Sequence, residues 1–316
     1  AALLAREGWE VDVYERAPVP GGASASAPVL GEGTVVDLGA AGHPFGAASP
    51  VFRDLDLAAH GLQWLHPAVP MGHPLPDGPA AILHRDLDAT AEGLGPDGRA
   101  WRAVHGALVE HIEELVADVL GPLVRPWPHP VAMARFGLRA PWPAAHFGRA
   151  VFRTEQARAL YTGSAVHAIM PPGRPLTSAF GALFGALGMS SGWPVARGGS
   201  GVITDALVSV LRAHGGRLHL DQEVTDLRAL PDVDAVVLDM TPRQVARLRG
   251  TDLPPSYAAA LQRWCPGPAV SKVDFLLDGP VPWRDGRLAG AGTVHLGGTL
   301  GKYAVTELKG QSIVVI

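Results

Sequence analysis

The 316-residue sequence contains a single cysteine, Cys265, so no internal disulfide framework can staple it, and that scarcity fits a reducing, cytoplasmic setting. The thiol lies between Trp264 and Pro266 with no cationic neighbour to lower its pKa, and is expected to be a core residue rather than a nucleophile. Lysine is almost missing: Lys272, Lys302 and Lys309 are the three present, two of them in the last 16 residues. With no basic run and a formal net charge of −4, the chain lacks the electrostatic footprint of a nucleic-acid binder. No apolar stretch reaches the roughly 18 residues of a membrane span. The longest, Ser178 to Met189, is rich in Gly and Ala and reads as a closely packed core helix before it reads as a tunnel lining. Thirteen histidines are present, but His60, His66 and His73 stand six and seven apart with no H-E-x-x-H or paired-cysteine pattern, so no metal site is expected. Ser200, in GGSGV, lacks the second glycine of a G-x-S-x-G nucleophile elbow, which disfavours hydrolase chemistry.

What is present is concentrated in residues 11–26, VDVYERAPVPGGASAS. A short strand, Val11 to Tyr14, ends at Glu15, whose carboxylate can accept hydrogen bonds from both ribose hydroxyls of an adenosine. Gly21-Gly22 lets backbone approach a pyrophosphate where a side chain would clash. Upstream, AALLAREG reads as the end of a helix stopped by Gly8. A G-x-G-x-x-G fingerprint belongs about 20 residues before such an acid, so the chain is expected to open partway through a βαβ unit.

Helix, strand, Glu15-Arg16, four residues and then Gly21-Gly22 resemble the FAD-binding opening of the phytoene desaturase and flavin amine oxidase superfamily. The segments DLGAAGHPFGAASPVFRDLDL (37–57), GLQWLHPAVPMGHPLPDG (61–78) and WPVARGGSGVITDALVSVLRAHGGRLHLDQEVTDL (193–227) resemble its bacterial phytoene dehydrogenase-like branch, and the likeness covers roughly residues 1–300. The resemblance implies FAD as cofactor, bound through Glu15, Arg16, Gly21, Gly22, Ala23, Ser24 and Asp37, with Val224 meeting the adenine through its backbone and His43 shaping the flavin site. Ala23 replaces the arginine usual after the double glycine, so that side-chain contact is lost. The resemblance also implies hydride removal from an apolar, isoprenoid-type substrate, with peripheral membrane contact as an associated partner. Its alternatives are a flavin amine oxidase, marked by an aromatic cage, or a non-catalytic remnant that binds no flavin. No catalytic acid or base is singled out, since in this class the redox chemistry belongs to the cofactor.

The implied architecture is α/β: an incomplete FAD/NAD(P)-binding Rossmann-like lobe with an inserted α+β substrate lobe. Residues 1–75 form the first part of the FAD lobe, 76–190 a mostly helical substrate lobe, 191–265 the return to the FAD lobe, 266–300 substrate-lobe strands, and 301–316 an atypical tail. Residues 41–190 read as Pro- and His-rich loops around one amphipathic helix carrying Trp101, Val104, Leu108, Ile112, Leu115 and Val119, stopped by Gly121-Pro122. A second strand spans Thr34 to Leu38. A helix from Val202 to Ala213 leads to a strand with Leu218 and Leu220, then to a buried parallel strand, Val233 to Leu238. Thr241 and Pro242 start a helix that Gly250 stops. Alternation at Val273, Phe275 and Leu277, and again in GTVHLGG, predicts antiparallel strands. The tail GKYAVTELKGQSIVVI departs from the family pattern, and the chain is expected to be truncated at both ends and inactive when expressed alone.

Overall fold

A computed structural model describes residues 1–122, 124–267 and 270–297, together with the backbone of 313–315. The expected atypical tail, 301–316, otherwise lies outside the described residues. The chain forms two compact units, Ala1–Gly22 with Val208–Ser271 and Ala23–Leu207 with Lys272–Ile316.

In the first unit the helix Ala2–Arg6 leads to the strand Asp12–Tyr14, which pairs in parallel with Arg217–His219 in the register Asp12↔Arg217 to Tyr14↔His219. Side chains reinforce the pair. Arg217 bonds Asp12 at 2.7 Å and Glu10 at 2.6 Å, His219 bonds Asp12 at 2.6 Å, and the Tyr14 and His219 rings stack at 4.7 Å. The expected buried strand from Val233 to Leu238 is not formed: this segment has no regular structure, and Val237 is 79% exposed. An apolar strand of that kind needs a partner and cover on both faces. In this unit the only further bridge among the described residues is Asp226↔Arg249. The helix at 242 does start as its sequence dictates. Thr241 and Gln244 form a reciprocal capping box ahead of Pro242–Val245. Cys265, expected in a core, is exposed. It follows the helix Pro255–Gln262, which buries no side chain and so offers no core for the thiol to join.

The second unit is built on a mixed four-stranded sheet in the order Ile313–Val315, Ala291–Leu296, Val69–His73, Ala81–Leu83. Val69–His73 runs parallel to Ala291–Leu296 and antiparallel to Ala81–Leu83. Both faces of Val69–His73 are buried. On one face lies the main core, in which Trp101, Leu108, Leu115, Tyr161, Leu183 and Leu187 join Met71 and Leu83.

Three expectations for this unit change. The amphipathic stripe is buried, but on two helices, Gly98–Glu110 and Ile112–Val119, separated at His111 (φ −112°, ψ 31°). The flanking segments are helical rather than loops, because Pro44, Pro50 and Pro130 sit at helix starts, where proline's fixed φ and missing N–H cost nothing. Residues 273–277 form no strand, and Phe275 is 78% exposed. Alternation alone supplies no partner edge. The apolar run does become a core helix, Thr177–Gly188. Its glycines admit neighbours, with a Cβ at Gly185 falling 2.6 Å from His105 Nε2.

Candidate functional site

Within the first unit, Glu15 continues the parallel ladder by donating its N–H to the His219 carbonyl at 2.8 Å, and its own carbonyl accepts from Gln222 N–H at 2.9 Å. That second bond draws the 222–224 segment beside the strand end. The Glu15 carboxylate is half-buried, and Oε1 accepts the Ala17 N–H at 2.7 Å, leaving Oε2 without a protein donor among the described residues. Val224 is half-buried, and its N–H and C=O are unpaired among the described residues. Such an edge can take a donor–acceptor pair from a heteroaromatic ring. Gly21 and Gly22 have φ of +118° and +54°, and the space a Cβ would take at Gly22 is open. A carboxylate with a spare oxygen, an open left-handed glycine turn and an unpaired backbone edge fit the adenosine and pyrophosphate end of a dinucleotide. Arg16 is exposed and makes no hydrogen bond or ion pair through its side chain among the described residues.

The second unit holds the other expected residues. The segment Ala23–Ala27 pairs antiparallel with Val36–Ala40, through Ser26↔Asp37 and through Ala40 N–H to the Ala23 carbonyl at 2.9 Å. Ala23 and Ser24 lie in a short 3-10 turn, Gly22–Ser24. Asp37 Oδ1 accepts the Ser26 hydroxyl at 2.7 Å and the Ser200 N–H at 2.6 Å, and Ser26 Oγ accepts the Gly201 N–H at 2.8 Å. Asp37 therefore caps the helix Gly201–Ala213, and the amides of Ser200 and Gly201 at its start are both bonded to protein. Gly199 makes the approach feasible. It sits at φ +95°, and a Cβ there would come within 2.6 Å of Ser26 Oγ and 2.7 Å of Val35 Cγ1.

His43 begins the helix Pro44–Ala48 and bonds Ser200 Oγ through Nε2 at 2.7 Å. Ser200 Oγ is also 2.6 Å from the Ala40 carbonyl. Burial holds the His43 pKa below its ordinary value, outweighing the nearby negative charge of Asp37. Trp64 lies against it, with ring centroids 5.9 Å apart. The sequence reading missed Ser26 and the capping and bonding roles of Ser200, whose partners are separated by more than a hundred residues of chain.

Deeper in the same unit, His167 Nε2 and His295 Nε2 are 3.0 Å apart, and His73 packs beside His295 with ring centroids at 5.6 Å. Burial depresses all three, His73 to about 3 and His167 to about 4. A cleft of about 690 Å³ opens between residues 74–80 and 282–297, with Trp283 on its wall, and contains none of the expected site residues.

No curated protein matches the sequence. Among solved structures the chain resembles a Pyrococcus furiosus protein (16% identity, TM-score 0.50, covering 84% of this chain and 62% of that one). It also resembles an oxidoreductase from Methanosarcina mazei (18% identity, TM-score 0.54, covering 82% and 60%). A putrescine oxidase redesigned in its cofactor binding is more distant (16% identity, TM-score 0.40, covering 72% and 48%). At these identities the likeness is one of fold, and the chain spans about three fifths of the length of the first two structures. The sequence profile of flavin-containing amine oxidoreductases matches residues 1–308. With nearly its whole length matched, the chain belongs to the flavin-containing amine oxidoreductase family, whose cofactor is the FAD expected from the sequence.

Proposed function

We propose that the chain serves an FAD-dependent oxidoreductase of the phytoene dehydrogenase-like branch, which removes a hydride from a C–H bond of an apolar, isoprenoid-type substrate. The observation that carries the cofactor half of this reading is the arrangement at the end of Asp12–Tyr14. There Glu15 keeps one carboxylate oxygen for a ligand, and the Gln222 bond brings the unpaired backbone of Val224 beside it. On this reading Glu15 takes the ribose hydroxyls, Gly21 and Gly22 give backbone access to the pyrophosphate, and Val224 meets the adenine edge. The bound flavin would supply hydride acceptance. The chain's own task is to orient and to exclude water, which suits Asp37, Ser26 and Ser200 as a rigid brace beneath the Gly39–His43 loop. The parallel pair of the first unit is read as part of a Rossmann-like FAD lobe drawn from 1–75 and 191–265, with a substrate lobe from 76–190 and 266–300.

Oxidation of an amine is the second reading, favoured by the family description itself. The two separate by anaerobic bleaching of the flavin absorbance in the flavin-loaded protein restored to the length of its structural neighbours. A polyunsaturated isoprenoid in detergent should bleach it, and a panel of primary and secondary amines should not. Bleaching by the amines alone would reverse the choice.

A further inference from the structure

The Ser200 hydroxyl lies between two groups, the Ala40 carbonyl oxygen at 2.6 Å and His43 Nε2 at 2.7 Å. A hydroxyl has one hydrogen to donate and two lone pairs with which to accept. The carbonyl can only accept, so the Ser200 hydrogen goes to Ala40. For the second contact to be a hydrogen bond, Nε2 must donate. The imidazole is then protonated at Nε2, and in its neutral form Nδ1 is a bare acceptor. Among the described residues nothing uses that acceptor: the helix Pro44–Ala48 takes no side-chain cap from His43, and Pro44 has no N–H to offer. Asp37, the charged group nearest in effect, cannot accept from Nδ1 in this tautomer, and its Oδ1 already holds the Ser26 hydroxyl and the Ser200 N–H. Asp37 thus fixes Ser200 by its backbone, Ser200 fixes His43 by its side chain, and the ring is left half-buried rather than sealed.

We propose that Ser200 is a positioning residue that locks His43 in the Nε2–H tautomer, so that Nδ1 accepts a hydrogen bond from an N–H donor of the bound ligand. The donor class has two sources here, the imide N–H of a flavin and the ammonium of an amine substrate. The inference rests on the reading of this loop as part of the flavin site.

Histidine-selective ¹⁵N labelling with long-range ¹H–¹⁵N correlation reads the tautomer directly, and His43→Gln assigns the signals by removing them. In the ligand-free wild-type chain at neutral pH, His43 should show a protonated Nε2 and an unprotonated Nδ1. Ser200→Ala should release the ring to a mixed or Nδ1–H state, and Ser200→Thr, which keeps the hydroxyl, should restore the lock. An Nδ1–H or averaged ring in the wild type overturns the lock, and needs no variant to fold. Addition of FAD, or separately of butylamine, should shift the Nδ1 resonance for the source that supplies the donor. FAD bound by fluorescence with Nδ1 unmoved, and no effect of the amine, would overturn the acceptor role while leaving the flavin reading intact. Failure of FAD to bind at all would count against the flavin reading, with the tautomer still decided by the ligand-free spectrum.

Discussion

At the scale of single residues, the chain places its chemistry through backbone conformation as much as through side chains. Gly22 sits in the left-handed region, and a Cβ there would have no described protein atom within 4 Å beyond its chain neighbours, so the space is open to a ligand. That permits a clean separation of strain from blockage. Gly22→Val suffers both, whereas Gly22→Asn tolerates positive φ and retains only the blocking Cβ. Both should lose flavin affinity with helical circular dichroism preserved, and an Asn variant that binds FAD as the wild type does would remove the backbone-approach argument. Glu15 and Gly21-Gly22 were legible in the sequence because the strand, the acid and the turn are contiguous. The Ser200–His43 bond was not. Its members are 157 residues apart, and neither carries a local pattern that points to the other. Cys265 shows the opposite failure, since apolar neighbours in sequence do not bring a core to a short helix that has none.

Helices of the second unit were predictable where the apolar stripe was long and hidden where proline was counted as a loop former. Trp101 to Val119 reads as one helix by spacing, yet the chain breaks at His111 without a glycine or proline to announce it. The segments at Val233–Leu238 and Val273–Leu277 have the composition of strands, but a strand exists only with a partner, and pairing is not encoded in the segment itself. Element ends are fixed by particular polar groups. Buried Asp97, at the N-terminus of Gly98–Glu110, accepts the Arg153 N–H, the Thr154 N–H at 2.7 Å and the Thr154 hydroxyl at 2.6 Å, and Thr154 in turn caps Glu155–Ala165. Burial pushes the Asp97 carboxyl up, but these donors outweigh it and hold its pKa below the usual range. Asp97→Ala would orphan three donors and should destabilise the chain by about 3 kcal/mol in urea denaturation, since each buried unsatisfied group costs about 1–3 kcal/mol. A change under about 0.5 kcal/mol would mean that water replaces the carboxylate.

For the molecule as a whole, the buried histidines set the response to acid. His73 and His105 are held at about 3 and His167 at about 4, and His295 lies well below its ordinary value, each chiefly through burial. An unfolded histidine titrates near 6.5, so below that pH the unfolded chain takes up protons that the folded chain refuses. Stability is therefore fully present above about pH 6.5. It falls by about 1.4 kcal/mol per pH unit for each such histidine as the pH drops toward the folded values. Four of them would remove most of a typical 5–15 kcal/mol stability by about pH 4.5. Urea midpoints measured from pH 7.5 to 4.5 should be flat above 6.5 and fall steeply below it, and His167→Gln should make the fall shallower. A midpoint independent of pH over that range would mean the rings are charged in the folded state. The central claim, that the end of Asp12–Tyr14 holds the adenosine of FAD, is tested most directly by equilibrium titration of the wild-type chain and Glu15→Ala with FAD, followed by flavin fluorescence. Loss of hydrogen bonds from a charged carboxylate is worth about 1.5–3 kcal/mol, so the variant should bind about ten- to a hundredfold more weakly. Equal affinity in the two proteins would contradict it.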